Sequence, residues 1–166
     1  MDNTNEAVPP TADREFVVSR LIDAPAALVF NAWIQSNQLE QWWGPTGFET
    51  KVQDIDVQPG RSTRIVMHGP DGVEYPNQFR YTEVHAAKLL SYMHSDGSDS
   101  DNDAATFGVA VSFDEDVNQQ TLVTMRSLFK TAAERDRVVA EYDAASGAEQ
   151  TLERLARFLK DFLPEH

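Results

Sequence analysis

Between Phe48 and Phe129 the chain repeats one pattern: a run of strand-forming residues, a tight turn signal, then another run. The turn signals are Pro59-Gly60-Arg61, Gly69-Pro70-Asp71-Gly72, His85-Ala86-Ala87-Lys88, an Asp/Ser-rich run and Asp114 to Gln119. Six strands fit between them. Connections this short favour hairpins, because a parallel pair needs a crossover of about a dozen residues or more. A meandering antiparallel sheet follows. Phe107, Val109, Val111 and Phe113 alternate with Thr106, Gly108, Ala110 and Ser112, so one face of that sheet is apolar and needs a cover.

The segments on either side supply the cover. Arg14 to Asp23 alternates Phe16, Val18 and Ile22 against more polar neighbours and reads as a first strand. Pro25 suits the first turn of a helix, and Leu28, Val29, Ala32 and Trp33 then recur at helical spacing. Ser36 is placed to cap another turn, after which Gly44, Pro45 and Gly47 break the chain beside Trp42 and Trp43. At the far end Thr131 and Glu134 form a capping-box pattern, and helical spacing continues to about Leu163. Ser146 and Gly147 interrupt it, so a kink or two consecutive helices is expected there. Ala148, Leu152, Leu155, Leu159 and Phe162 make the stripe that faces the sheet, with Glu153, Arg154, Arg157 and Lys160 largely off it. Residues 1–13, polar and carrying Pro9-Pro10, read as a flexible arm, and residues 14–166 as a single domain.

Charge and composition narrow the partners. A formal net charge of -13 repels phosphate backbones and anionic lipid surfaces, so neither nucleic acid nor a membrane is expected as a partner. The absence of cysteine removes disulfides, thiolate metal sites and a cysteine nucleophile, and it fits a reducing, cytoplasmic setting. No apolar run approaches the roughly 18 residues that span a bilayer, and the polar start lacks the layout of a signal peptide.

The order strand, short helices, strands, long helix resembles the helix-grip fold of START-like and Bet v 1-like domains. Particular motifs carry the resemblance further. Arg20 to Trp33 (RLIDAPAALVFNAW) looks like the first strand and helix of the activator of Hsp90 ATPase homologue 1-like family of that superfamily, and Gln41 to Phe48 (QWWGPTGF) looks like its Trp-Trp-Gly-Pro signature. The segments DVQPG, HGPDG, FRYTEV and GAEQTLERLARFL fall in the family's order, so the resemblance covers nearly everything after Arg14. It implies an α+β fold in which a curved antiparallel sheet of six or seven strands wraps a long C-terminal helix, with two short helices after strand one. Two departures stand out. Arg61 occupies a place where the family often has glycine, and Ser146-Gly147-Ala148 replaces Glu-Gly-Trp. Losing that tryptophan should widen or reshape the space beneath the helix. Members of the family include lipid- or polyketide-binding proteins and a few that act on a bound ligand, which implies a cavity for a small hydrophobic molecule.

The expected wall of that cavity is Met67, Phe79, Tyr81, Tyr92, His94, Phe107, Met125 and Leu152, with Trp42 and Trp43 as an aromatic lip. The same residues also suit an ordinary packed core, with one tryptophan anchoring the loop and the other shielding it. Tyr81, Tyr92 and His94 supply polar contacts, since a buried hydroxyl needs a partner. A second reading makes the protein a cyclase- or hydrolase-like enzyme with Glu83 or His94 as acid/base; alternation puts Glu83 on the face of Tyr81, and a strand-end position in solvent is the alternative for it. A third, from the family name alone, is a chaperone co-factor. His68, His85, His94 and His166 lack metal-ligand spacing, the run Asp96 to Asp103 lacks the glycine and glutamate of a calcium loop, and Ser127 with Lys130 stands without the other motifs of serine acyl enzymes. No metal, cofactor or catalytic residue is therefore assigned. An exposed edge strand or the tryptophan pair offers a surface for a homodimer.

Overall fold

The computed structural model describes residues 12–95, 107–142 and 144–162. The expectations for the arm up to Thr11, the Asp96 to Asp103 run, Thr106 and His166 lie outside them. A short 3-10 turn at Ala12–Arg14 leads into β1 (Glu15–Ile22), where alternation holds: Val18 and Ile22 are buried while Val17 and Leu21 are about half exposed. Helices α1 (Ala26–Ile34) and α2 (Ser36–Trp42) follow.

Pro25 stands just before α1 in an extended conformation, one position earlier than expected, and the first helical N–H is satisfied from a distance: Ala26 donates to Glu115 Oε1 at 2.9 Å. The carboxylate also sits where the helix dipole favours negative charge. α1 buries Ala26, Val29, Phe30, Ala32 and Trp33, the spacing of one helical face. Ser36 is not a cap. It is the first residue of α2, and the extended residue Gln35 alone separates the two helices, its N–H closing α1 on Asn31 O.

Six more strands complete the sheet: β2 (Glu49–Asp54), β3 (Ser62–His68), β4 (Glu74–His85), β5 (Leu89–Ser95), β6 (Phe107–Glu115) and β7 (Thr121–Leu128). Their order is β1-β7-β6-β5-β4-β3-β2, every pair antiparallel, so the meander runs from β2 to β7 and β1 closes it. The turns fall where the turn residues stand. Gly60 and Gly72 take positive φ at no steric penalty, whereas Ala87 and Gln119 reach φ of 62° and 61° with side chains attached. Asp116 steadies the last hairpin by accepting the N–H groups of Asn118 and Gln120. A bulge between Tyr81 and Glu83 breaks the alternation of β4. It turns Glu83 out of the face of Tyr81, which corrects the shared face that alternation predicts, and leaves it in solvent at the strand end: its side chain is 58% exposed, 3.9 Å from His85.

After β7, Thr131 Oγ1 accepts the Glu134 N–H at 3.1 Å and opens α3 (Ala132–Tyr142); α4 (Ala144–Phe162) follows. The interruption expected at Ser146 and Gly147 is absent, because α4 is helical through both residues. Two side chains reach back one turn across that point: Thr151 Oγ1 donates to Gly147 O at 2.9 Å and Gln150 Nε2 to Ser146 Oγ at 3.2 Å. A lone glycine weakens a helix by only about 1 kcal/mol, so this local support and packing suffice. Leu152, Leu155 and Leu159 are fully enclosed, and α4 packs on β1 and α2. Helix, sheet and the α1–α2 pair share one continuous core. No helix among the described residues is long and apolar enough to cross a membrane.

Candidate functional site

Strands β3 to β6 place their inward side chains in register on the concave face. Thr63 lies opposite Phe79, Ile65 opposite Asn77, Tyr81 opposite Tyr92, Phe79 opposite His94, Tyr92 opposite Val109 and His94 opposite Phe107. Burial along these rows has a direction. Thr63, Ile65, Phe79, Tyr81, Leu90, Tyr92, Val109, Val111 and Phe113 are buried, whereas the next inward residue of each strand at one end of the sheet, namely Met67, Asn77, His94 and Phe107, is only partly so. The concave face is therefore sealed at one end and open at the other.

The sealed end is a knot of rings. Trp33 meets Trp42 at 4.8 Å, Trp43 at 5.6 Å and Phe113 at 6.2 Å between ring centroids, while Phe30 meets Phe113 at 5.4 Å, all edge to face. Trp42 also donates from Nε1 to Ala32 O at 3.1 Å, whereas Trp33 Nε1 is enclosed with no partner among the described residues. From there the contacts continue outward: Trp43 to Phe79 at 5.0 Å, Phe79 to His94 at 5.2 Å, His94 to Phe107 at 4.9 Å, and Phe107 stacked on Phe129 at 4.7 Å.

The polar groups on this face are all held uncharged. Tyr81 donates its hydroxyl to Thr63 Oγ1 at 2.7 Å, and burial outweighs that bond to push its pKa up to about 12. Tyr92 is raised well above the ordinary phenol range, first by burial and then by Tyr81 beside it. Burial pushes the His94 imidazole down to about 4, so it is neutral at physiological pH. His94 Nε2 pairs with Asn77 Oδ1.

Of the ten residues singled out from the sequence, Trp43, Phe79, Tyr92, His94 and Phe107 form one continuous chain of ring contacts, and Tyr81 joins it through Tyr92 at 6.0 Å. Met67 and Met125 share the concave face. Trp42, fully enclosed, stands behind Trp43 rather than at a rim. Leu152 is also fully buried, and it borders a polar cleft of about 340 Å³ between β1 and α4, where Arg20, Glu149 and Glu153 are the charged residues. A second cleft of about 360 Å³ lies by the start of α1, near Lys88 and Glu115.

One residue that sequence reasoning set aside proves central to holding the site. Arg154 projects from α4 and donates from Nη1 to three successive carbonyls, Trp43 O at 3.2 Å, Gly44 O at 2.8 Å and Pro45 O at 2.9 Å; partial burial lowers its pKa. Thr50 Oγ1 donates to Trp43 O at 2.8 Å and Gln150 Oε1 accepts the Thr46 N–H at 3.0 Å. The loop after Trp43 is thereby fastened both to the sheet and to α4. Gly44, at φ of 101°, takes a backbone conformation that residues with side chains rarely adopt, and a Cβ there would crowd Met67 Sδ at 3.2 Å. Only the partners of Arg154 were hidden: backbone carbonyls about 110 positions away leave no pattern in a sequence. Among the described residues no group of three metal-ligating side chains occurs.

Comparison with known proteins agrees with this geometry. No curated protein sequence matches the chain. Its fold is similar to the solution structure of a protein from Arthrobacter aurescens (TM-score 0.80, 22% identity, over 99% of this chain and 95% of that one). It is similar too to the crystal structure of protein Ms6760 from Mycobacterium smegmatis (TM-score 0.78, 20% identity, 94% of each chain) and of the AHSA1 protein from Silicibacter pomeroyi (TM-score 0.71, 20% identity, 90% of this chain and 99% of that one). The family described as activator of Hsp90 ATPase homolog 1-like protein matches residues 23–160. With its motifs, its meandering sheet and its terminal helix all in that family's arrangement, the chain belongs to the activator of Hsp90 ATPase homologue 1-like family.

Proposed function

We propose that this protein binds a small, mostly apolar molecule on the concave face of its sheet beneath α4, admitted at the end lined by Met67, Asn77, His94 and Phe107. The observation that carries the reading is the direction of burial: on four neighbouring strands the same end of the face is incompletely covered, and it sets apolar Met67 and Phe107 beside the uncharged polar pair Asn77 and His94. Burying about 200 Å² of apolar ligand surface there would contribute about 5 kcal/mol before the entropy of association is subtracted. The neutral states of Tyr81, Tyr92 and His94 suit an uncharged guest. The acidic, cysteine-free chain fits work in the cytoplasm.

An acid–base enzyme on the same face has less support: of its two candidate groups Glu83 stands in solvent, and burial holds the pKa of the His94 imidazole down to about 4, a weak base at physiological pH. The chaperone reading rests on the family's name and on no feature of the concave face. The test is a panel of neutral aromatic and aliphatic compounds scored by thermal shift and native mass spectrometry on the full chain. Stabilisation with one-to-one complexes is expected, and a panel without any stabilised member would overturn the proposal.

A further inference from the structure

The open end does not present an arbitrary polar group, because the orientation of one amide determines the tautomer of the histidine beside it. Asn77 donates from Nδ2 to Tyr75 O at 3.1 Å, which leaves Oδ1 as the atom that faces His94 Nε2. An amide oxygen only accepts, so Nε2 must carry the proton. In a neutral ring the proton on Nε2 leaves a lone pair on Nδ1. The ring stands between Phe79 and Phe107, at 5.2 Å and 4.9 Å, whose faces and edges offer no hydroxyl or amine. Among the described residues Nδ1 has no donor, and it is not among the enclosed atoms lacking a partner, which are Trp33 Nε1, Gln38 Oε1 and Glu134 Oε1.

Resting on the binding role set out above, we infer that His94 Nδ1 is the specificity-determining acceptor of the site, and that the guest is a neutral alcohol or phenol whose hydroxyl donates to it. A carboxylate of the same skeleton would bring its negative charge to a lone pair, in a protein of net charge -13. An ether or a ketone has no proton to give. Discrimination comes from the unpaired acceptor, since a buried group left without its hydrogen bond is penalised more than a satisfied one is rewarded.

Binding of 2-naphthol, 2-methoxynaphthalene and 2-naphthoate to the full chain tests this directly by titration calorimetry. The expected result is that naphthol binds about tenfold or more tightly than either of the others, the worth of roughly one good hydrogen bond. Nitrogen-15 spectra of the histidine rings should show His94 protonated on Nε2, and His94→Phe should erase the preference for naphthol over its methyl ether. Equal affinity for naphthol and its ether in the wild-type chain would overturn the acceptor role and leave the binding site standing. Failure of all three to bind would overturn both.

Discussion

The two ends of the concave face are built from the same strands by the same alternation, yet they differ in what lies on top. At one end α1 presses Phe30 and Trp33 onto Phe113, Trp42 of α2 packs against Trp33, and all four rings are enclosed. At the other end the strands run on past the reach of those helices, and Met67, Asn77, His94 and Phe107 keep some contact with open space. Identical patterning thus produces a sealed core where α1 and α2 cover it and a partly exposed face beyond them. Stability should therefore reside mainly in the sealed end, and recognition in the open one.

The contrast is broken most directly by truncation at each end. Trp42→Ala should lower the unfolding free energy by about 3–5 kcal/mol in urea titrations, because it empties a fully enclosed site, while Phe107→Ala should lower it by less than about half as much. Equal losses would mean that the open end is core as well. Arg154→Met removes the clasp on the loop carbonyls of Trp43, Gly44 and Pro45. A loss of about 2 kcal/mol is expected from hydrogen bonds to a charged group, together with a red shift of tryptophan emission as Trp43 loosens; an unchanged spectrum would show that the clasp does not hold the ring.

Acid sharpens the comparison through His94. The unfolded chain takes up a proton on this histidine near its ordinary pKa of about 6.5, while the folded chain resists it until about 4, so folding stability falls as the pH drops through that window. This group alone should account for a decline of about 1.4 kcal/mol per pH unit there, and the difference between wild type and His94→Phe isolates it from the carboxylates. Parallel stability profiles for the two proteins would show that His94 is not shielded. The smallest effect belongs to Tyr81→Phe, which leaves the Thr63 hydroxyl without its partner at the sealed end and should be worth about 1 kcal/mol in the same titrations. A neutral substitution would mean that water already serves Thr63.

Much of the frame could be read without coordinates, because period-two alternation and turn-forming residues are local signals. The seven strands, their hairpins, Thr131 as a cap and the Leu152-Leu155-Leu159 stripe were all visible that way. What escaped depends on neighbours distant in sequence. The bulge that expels Glu83 is an irregularity in strand pairing, which no pattern in β4 alone reveals. Trp42 and Trp43 are adjacent and chemically alike, and only the end of α2 decides that one is sunk behind the other. The partners that fix Arg154 and the tautomer of His94 are main-chain carbonyls and one amide, brought close by the fold alone.

The methionine methyl groups offer the most direct probe of the open face. Met67 lies on the concave side near the open end, whereas Met93 alternates to the opposite side of the sheet beside Gly108. In a carbon-13 methyl spectrum of the full chain titrated with 2-naphthol, Met67 should shift progressively to saturation while Met93 stays in place. A shift confined to Met93, or no shift at Met67 when binding is saturated, would contradict a ligand site at the open end of the concave face.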